Sequence, residues 1–236
     1  MALKSAYVPH PEIENDLIRI GGDEHRHLVV ARAEPNETVE VFDGNGTVWT
    51  AVIVQAGRSE TCARVTSVRR VDRERHELIL GQALIRAAAF ELALEKAVEI
   101  GVTRIVPFVA ARSNVSAGRR PERWMRIIVE AAKQSKRYYL PELNQPVGFE
   151  QILQIDAPSK IMFAERGGGP LKPALTRSPV LYLTGPEGGW TDAEIEAARQ
   201  NRFILVNLGT GILKAETAAI VGGALIRYEL ERLQNG

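Results

Sequence analysis

The pattern of hydrophobic and polar residues changes near residue 72. Before that point, TVEVFDGNGTVWTAVIVQ alternates apolar and polar positions around Asp43-Gly44-Asn45-Gly46, which predicts a β-hairpin with a glycine turn. The segment ETCARVTSV alternates in the same way. We therefore expect residues 1–72 to form a small all-β domain, either a barrel or a sandwich.

Residues 73–236 instead alternate short apolar runs with helical patterns. The segments ELILGQAL, TRIVPFV, KIMFAE, PVLYLT and RFILVNL are predicted strands. Helices are predicted over FELALEKAVEIG, which ends at Gly101, over PERWMRIIVEAAKQSKRYY, which has Pro121 in its first turn, and from about Lys214 to Leu233. Short apolar strands that alternate with helices predict an α/β domain with a mostly parallel sheet covered on both faces.

Two glycine-rich turns follow predicted strands of this second domain. LTGPEGGWT continues from PVLYL, and LGTGILKAETAA continues from RFILVN. Ligands of open parallel sheets bind beyond the carboxyl ends of the strands, and glycine lets the backbone approach a ligand closely. Either turn alone is well explained as an ordinary strand-to-helix connection, and Thr191 and Glu194 have the spacing of a capping box. Two such turns together predict a binding site.

The charge and composition of the chain narrow the partners that this site can have. No Walker or dinucleotide fingerprint follows the glycines, so the turns favour a compact ligand held by backbone contacts. No run of eighteen apolar residues is present, and the N-terminus lacks the pattern of a secretory signal. With its single cysteine, Cys62, the chain is expected to be cytoplasmic. The net charge of +1 excludes neither acidic nor neutral partners.

The pair LTGPEGGWTDAE and LGTGILKAETAA resembles the signature of the RsmE-type RNA methyltransferases of the SPOUT superfamily. That family methylates N3 of uridine in 16S ribosomal RNA of the small subunit with S-adenosylmethionine. LEKAVEIGVTRIVPF and RWMRIIVEAAKQSKRYYLPEL extend the similarity, and HRHLVVARAEPNETVEVFDGNG does so more loosely. The resemblance implies an RNA-binding, PUA-like β-barrel over residues 1–72, a trefoil-knotted α/β methyltransferase domain over 73–236, and a homodimer.

The resemblance also implies a cofactor pocket formed by the two glycine turns. Its positions in this sequence are Thr184, Gly185, Pro186, Glu187, Gly188, Gly189, Leu208, Gly209, Ile212, Leu213, Lys214, Thr217 and Ala218. The chain departs from the family pattern at Gly211, where an arginine is expected, and at Lys214, where arginine is more usual. In IRAAAFE, Arg86 replaces a lysine. These departures leave cofactor binding as expected and put the catalytic assignment in doubt.

The expected reaction requires a cation beside the uridine. N3 must lose its imide proton before it is alkylated, and each unit of pKa lowering corresponds to about 1.4 kcal/mol. A guanidinium about 4 Å away supplies roughly 4 kcal/mol at an effective dielectric constant near 20. We expect Arg137 and Arg112 to stabilise the uridine anion. Glu187 is the alternative, as a proton acceptor.

Basic residues are concentrated between Arg112 and Arg137, a segment that contains eight basic residues and two acidic ones. This concentration predicts contacts with RNA phosphates, although a solvated helix face has the same composition. Together with residues of the first domain and the start of the second, the expected RNA-binding residues are Arg26, Arg32, Arg86, Arg112, Arg119, Arg120, Arg123, Lys133, Lys136 and Arg137.

Several other residues have simpler interpretations. His25 and His27 would share a strand face, but with Cys62 alone beside them we expect no metal site. Cys62 and Trp124 are predicted core residues, whereas Trp190 is equally suited to the core and to stacking on a base. The small residues of AAIVGGALI fit close packing within the chain or across a dimer. A knotted methyltransferase acting on a ribose hydroxyl and a non-catalytic RNA-binding assembly factor are the alternative functions.

Overall fold

The computed structural model describes residues 3–113 and 121–232. It divides the chain into two units, the first comprising Met1–Arg73 with Ala132–Leu140 and the second comprising Glu74–Ala131 with Pro141–Gly236. The division predicted at residues 72 and 73 did not include this return of residues 132–140 to the first unit.

The first unit contains one sheet of six strands and one helix. The strand order is β1-β4-β5-β6-β3-β2, and β1 pairs with β4 in parallel while the other pairs are antiparallel. The elements are β1 Lys4–Tyr7, β2 Ile13–Glu14, β3 Leu17–Gly21, α1 Gly22–Val30, β4 Thr38–Phe42, β5 Thr47–Ala56 and β6 Glu60–Arg70. The predicted hairpin is confirmed as β4 and β5, with Asp43 Oδ1 accepting hydrogen bonds from the amides of Asn45 and Thr47 in the turn.

Helix α1 corrects one expectation about this unit. His25 and His27 do not share a strand face, because both lie on the helix, where residues two apart point in different directions. His25 is buried, and its Nδ1 lies 2.9 Å from Thr61 Oγ1. Within residues 3–113 and 121–232, no cluster of histidine, cysteine and acidic side chains could hold a metal ion.

Cys62 is not a core residue, contrary to the prediction. It is half-buried on β6, whereas its neighbours Thr61 and Ala63 are fully buried. Side chains of a strand alternate between the two faces of a sheet, so Cys62 points away from the core that Ala63 enters.

The segment Ala132–Leu140 is held in the first unit by ion pairs and an aromatic contact. Lys133 Nζ lies 3.1 Å from a carboxylate oxygen of Glu24, and Lys136 Nζ lies 2.7 Å from Glu40. Tyr138 also donates a hydrogen bond to Glu40 (3.0 Å) and packs on Phe42. These charge-assisted contacts explain why the segment belongs to this unit.

The second unit is built on a parallel sheet of seven strands, as the alternation of strands and helices predicts. The order is β10-β8-β7-β12-β11-β13, with β9 beside β8. The strands are β7 Leu78–Ala83, β8 Arg104–Val109, β9 Glu142–Leu143, β10 Val147–Gly148, β11 Ser159–Phe163, β12 Val180–Thr184 and β13 Ile204–Val206. The helices are α2 Ala87–Ile100, α3 Pro121–Ser135, α4 Phe149–Leu153, α5 Asp192–Gln200 and α6 Ala215–Arg232. The end of α3, from Ala132 onward, belongs to the first unit.

Both faces of this sheet are covered by helices. Leu181 and Leu183 of β12 pack in one apolar cluster with residues of α4 and α5, and α6 packs on β7 and β12 from the other side. Trp124 is a core residue, as predicted, and its ring lies 4.6 Å from that of Phe90. No helix in the described part of the chain is long and apolar enough to cross a membrane.

The glycine pair of α6 serves packing within the chain. A Cβ atom at Gly222 would lie 2.2 Å from the ring of Phe163, and one at Gly223 would lie 2.6 Å from the hydroxyl of Tyr182. The small residues of AAIVGGALI therefore let α6 approach β11 and β12, which is the intramolecular alternative of the two that the sequence left open.

Candidate functional site

The two glycine turns lie at the same edge of the second sheet. Strands β12 and β13 both pair with β11 in parallel, so the loops after Thr184 and after Val206 leave the sheet at its carboxyl edge. The loops line a single cavity of about 1310 Å³, which we call the carboxyl-end cavity. The residues assigned to cofactor binding from the sequence that line it are Gly185, Pro186, Glu187, Gly188, Gly189, Leu208, Ile212, Leu213, Lys214 and Ala218.

Three of the assigned residues are not among those lining the cavity. Thr184 is fully buried, and its hydroxyl donates a hydrogen bond of 2.6 Å to Gln82 Oε1. The amide of Gly209 donates to Asn207 Oδ1 at 2.7 Å. Thr217 lies on α6, one residue before Ala218. A direct cofactor contact by these three residues stays a prediction.

A third loop, which the sequence reasoning missed, also lines the cavity. It follows β11 and contributes Ala164, Glu165 and Arg166. Just beyond it, a Cβ atom at Gly168 would lie 2.6 Å from the backbone nitrogen of Asn207. Only glycine permits this approach of two backbones. The glycine run RGGGP, which follows the apolar strand KIMFAE, is the sequence signal that could have indicated this loop.

The loop after β11 surrounds the end of β13. Ala164 donates its amide to the carbonyl of Val206, while Gly169 donates its amide to Leu205 and accepts one from Asn207. Successive residues of a strand direct their backbone groups to opposite sides. Residues 164–169 therefore leave β11 on one side of β13 and return on its other side. This geometry agrees with the knotted fold that the family resemblance implies.

Glu187 connects its glycine turn to the start of α2. Its Oε1 accepts a hydrogen bond of 2.9 Å from the backbone amide of Arg86, the residue that precedes the first turn of the helix. A carboxylate at this position satisfies a free amide and interacts favourably with the helix dipole. The contact assigns Glu187 a structural role in holding the turn against α2.

Arg112 and Glu194 join the loop after β8 to the glycine turn after β12. Arg112 Nη1 donates to the carbonyl of Gly188 at 2.8 Å. Glu194 is buried, and its Oε1 accepts from the amide of Ala111 at 2.8 Å. Its Oε2 accepts from the amide and the hydroxyl of Thr191, both at 2.9 Å. The predicted capping box is thus present, and it also fixes the loop that carries Arg112.

Trp190 is half-buried, and it packs against the core of the second unit and also lines the carboxyl-end cavity. Its indole stacks on Phe108 with centroids 6.1 Å apart, and its Nε1 donates to the carbonyl of Phe163 at 2.8 Å. A Cβ atom at Gly185 would lie 2.8 Å from the indole ring. Of the two interpretations that the sequence left open, the packing contacts favour the core.

The charges around the carboxyl-end cavity balance. Four basic side chains line it, among them Arg112 and Arg86, and four acidic ones, among them Glu187. The two positions at which the sequence departs from the family pattern, Gly211 and Lys214, both lie on its wall. The cavity is therefore suited to a ligand of mixed charge.

The remaining basic residues assigned to RNA binding lie in different environments. Arg26 pairs with Asp23, and Arg32 is exposed on the loop after α1. Arg123 Nη2 lies 2.7 Å from a carboxylate oxygen of Glu91. Arg119 and Arg120 lie outside the described residues.

Two further assigned residues, Lys133 and Lys136, form the ion pairs that hold Ala132–Leu140 in the first unit. Binding of phosphate by either lysine would compete with its carboxylate partner, and contact of the two lysines with RNA stays a prediction. Arg137 belongs to the same segment. It is half-buried, and its amide donates to the carbonyl of Ala132.

Comparisons with known proteins agree with this geometry. A family model described as an RNA methyltransferase domain matches residues 72–227, and one described as an RNA methyltransferase PUA domain matches residues 20–65. The ribosomal RNA small subunit methyltransferase E of Synechocystis is 30% identical over 240 residues, which cover 98% of this chain and 79% of the relative.

Solved structures of similar proteins contain S-adenosylmethionine. A ribosomal RNA small subunit methyltransferase E from Neisseria gonorrhoeae, bound to it, is 28% identical with a TM-score of 0.89, covering 96% of this chain and 98% of its own. A Legionella pneumophila methyltransferase in complex with it is 28% identical with a TM-score of 0.90, covering 97% and 98%. The chain thus belongs to the family of the ribosomal RNA small subunit methyltransferases E.

Proposed function

We propose that this protein methylates N3 of a uridine in the 16S ribosomal RNA of the small subunit, with S-adenosylmethionine as methyl donor. One observation carries the proposal. The two glycine turns, which are separate in the sequence, line one cavity together with Arg112. Family membership indicates which reaction is catalysed, and the cavity indicates where on the protein it takes place.

The residues of the carboxyl-end cavity fit the methyl donor. Its volume of about 1310 Å³ exceeds the roughly 300–1,000 Å³ of an ordinary ligand pocket, which leaves room for a base beside the cofactor. A Cβ atom at Gly189 or Gly211 would meet no atom within 4 Å, so open space adjoins the backbone at both positions. Leu208 and Leu213 would hold the adenine of S-adenosylmethionine, while Asp192 and Glu216 would face its positively charged sulfonium and amino groups.

The chain's own contribution to the reaction is to position the base and stabilise its charge. S-adenosylmethionine, when bound, supplies an electrophilic methyl group. Both contacts of Arg112 use Nη1, towards the carbonyls of Gly188 and Trp190, and leave other N–H groups of its guanidinium for the uridine. Because its position is already fixed, the guanidinium can stabilise the N3 anion before methyl transfer without having to move. Arg137 is the second cation that we assign to this task.

The proposal extends to partners and location. Residues 1–72 bind RNA as a PUA-like domain, with Arg26 and Arg32 among the contacts, and the enzyme acts in the cytoplasm. The chain pairs as a homodimer. Exposed apolar residues of the second unit, Leu225 and Tyr228 on α6 and Ile212 in the second glycine turn, support this pairing.

Mass spectrometry of nucleosides from 16S ribosomal RNA of a deletion strain tests the reaction. We expect 3-methyluridine to be lost at one position and restored by the wild-type gene. Loss of a 2′-O-methylated nucleoside instead would replace the proposal with ribose methylation. An unchanged nucleoside profile, together with calorimetry showing RNA binding without S-adenosylmethionine binding, would indicate an assembly factor.

A further inference from the structure

A second, smaller cavity lies at the opposite edge of the same sheet. Its volume is about 220 Å³, and we call it the amino-end cavity. Asp156, Ala157 and Pro158 directly precede β11, and the other lining residues are Lys160, the second residue of β11, Arg177 before β12 and Arg202 before β13. The three strands are neighbours and parallel, so each contributes one basic residue to the same edge.

Lys160 brings a buried positive charge to this cavity. It is 8% exposed, and its Nζ donates one hydrogen bond, of 2.9 Å, to the carbonyl of Leu153. An ammonium group has three donors. Burial lowers the pKa of Lys160, and the charge of Arg202 lowers it further, against the opposing effect of Asp156. The cavity is lined by three basic side chains and one acidic side chain, so positive charge exceeds negative charge there.

Arg202 occupies a backbone conformation that normally selects glycine. Its φ is 67°, in the left-handed region, just after α5. Its amide donates to the carbonyl of Arg199 and the amide of Phe203 donates to Ala198, which closes the helix. Glycine is the common residue at such a helix end because it adopts this conformation without strain. An arginine there costs folding free energy, which a role for its side chain in the cavity explains.

We propose that the amino-end cavity binds a phosphate group through Lys160, Arg177 and Arg202. The volume is below that of a pocket for a drug-sized ligand, so the ligand is a small group. Guanidinium groups match the oxygens of phosphate with paired hydrogen bonds, and in the described structure Arg177 and Arg202 form no ion pair. The phosphate is either a free anion or part of an RNA backbone, and the second source rests on the proposed function.

Titration with inorganic phosphate at constant ionic strength, followed by calorimetry, tests the site without reference to methyl transfer. We expect saturable binding by the wild type and at least tenfold weaker binding by Arg202→Gly. The glycine variant removes the cation and relieves the left-handed strain, so it should fold at least as stably as the wild type. Lys172→Ala removes an exposed cation that lines neither cavity and should bind as the wild type does. Equal phosphate affinity in the wild type and Arg202→Gly would overturn the site.

The salt dependence of RNA binding identifies the source of the phosphate. If the group belongs to RNA, Arg202→Gly should reduce the slope of log affinity against log salt by about 0.7 to 0.9. An unchanged slope with weakened inorganic phosphate binding would assign the site to a free anion. If the wild type binds no phosphate, and its RNA affinity has the same salt dependence as that of Arg202→Gly, the proposal is wrong. That result would leave the proposed methyl transfer unaffected.

Discussion

The three neighbouring strands β12, β11 and β13 have a cavity at each end, and the two cavities present different chemistry. The carboxyl-end cavity has bare backbone at its glycines and as many acidic as basic side chains, whereas the amino-end cavity has three basic side chains and one acidic. In a parallel sheet, the loops that lead from strands into helices, and the N-termini of those helices, lie at the carboxyl edge only. Backbone groups can therefore form the site at that edge, while the other edge must rely on side chains.

The largest effect that we expect follows replacement of Arg112 at the carboxyl end. Arg112→Ala should lower the turnover of RNA methylation by roughly 10²–10³-fold, because a preorganised donor to the developing anion is lost. Its affinity for S-adenosylmethionine should change far less. Single-turnover methylation and calorimetry measure the two quantities, with Lys172→Ala as the control. An equal loss of both would mean that Arg112 only supports the loop.

Arg137→Ala should behave in the same way if its guanidinium also faces the uridine. The comparison with Arg112→Ala separates the two cations by their effect on turnover at saturating RNA. If Arg137→Ala lowers only thermal stability, Arg137 has no place in the reaction.

The next largest effect concerns the loop around β13. Gly168→Ala places a Cβ atom 2.6 Å from the backbone of Asn207, and overpacking of this kind typically costs about 1–3 kcal/mol. A Cβ atom at the adjacent Gly169 would meet nothing within 4 Å, so Gly169→Ala is the matched control and should be nearly neutral. Chemical denaturation measures both. Equal stability of the two variants would contradict the close approach of these backbones.

A smaller effect, of opposite sign, is expected in the middle of β12. Tyr182 is fully buried, and its hydroxyl has no hydrogen-bond partner in the described structure. Burial raises its pKa above the usual value. Removing an unsatisfied buried hydroxyl should stabilise the fold, so we expect Tyr182→Phe to raise the free energy of unfolding by about 1 kcal/mol. A loss of stability would show that the hydroxyl has a partner.

The smallest effect is a pH dependence at the amino end. The pKa of Lys160 is lower in the folded chain than in the unfolded one, so the unfolded chain binds more protons between these two values. Stability contributed by Lys160 should therefore rise with pH up to its unfolded pKa of about 10.4. The unfolding free energy of the wild type relative to Lys160→Met should increase between pH 7 and 10. A constant or falling difference would contradict the burial of the charged group.

The sequence predicted the binding site at the carboxyl end of the sheet but not the cavity at its amino end. The carboxyl-end loops follow apolar strands and contain GPEGG and GTG, so local pattern and family resemblance both indicate them. Arg177 and Arg202 precede their strands in ordinary polar segments, and they meet Lys160 only because three strands are neighbours in the sheet. Strand order is set by packing across the fold, and periodicity does not encode it.

The same limit explains why the ion pairs of the basic segment were not foreseen. Lys133 and Lys136 were assigned to RNA because charge was counted along the sequence, whereas their carboxylate partners, Glu24 and Glu40, are about a hundred residues away. Long-range ion pairs leave no local signal. The hairpin of β4 and β5 was predicted correctly because its turn chemistry is local.

Calorimetric titration of S-adenosylmethionine into the wild type and Arg202→Gly tests the central claim most directly. If the two glycine turns form the cofactor site and the amino-end cavity is separate, both proteins should bind one molecule per chain with equal affinity. Absence of saturable binding by the wild type, or its loss in Arg202→Gly alone, would contradict the account.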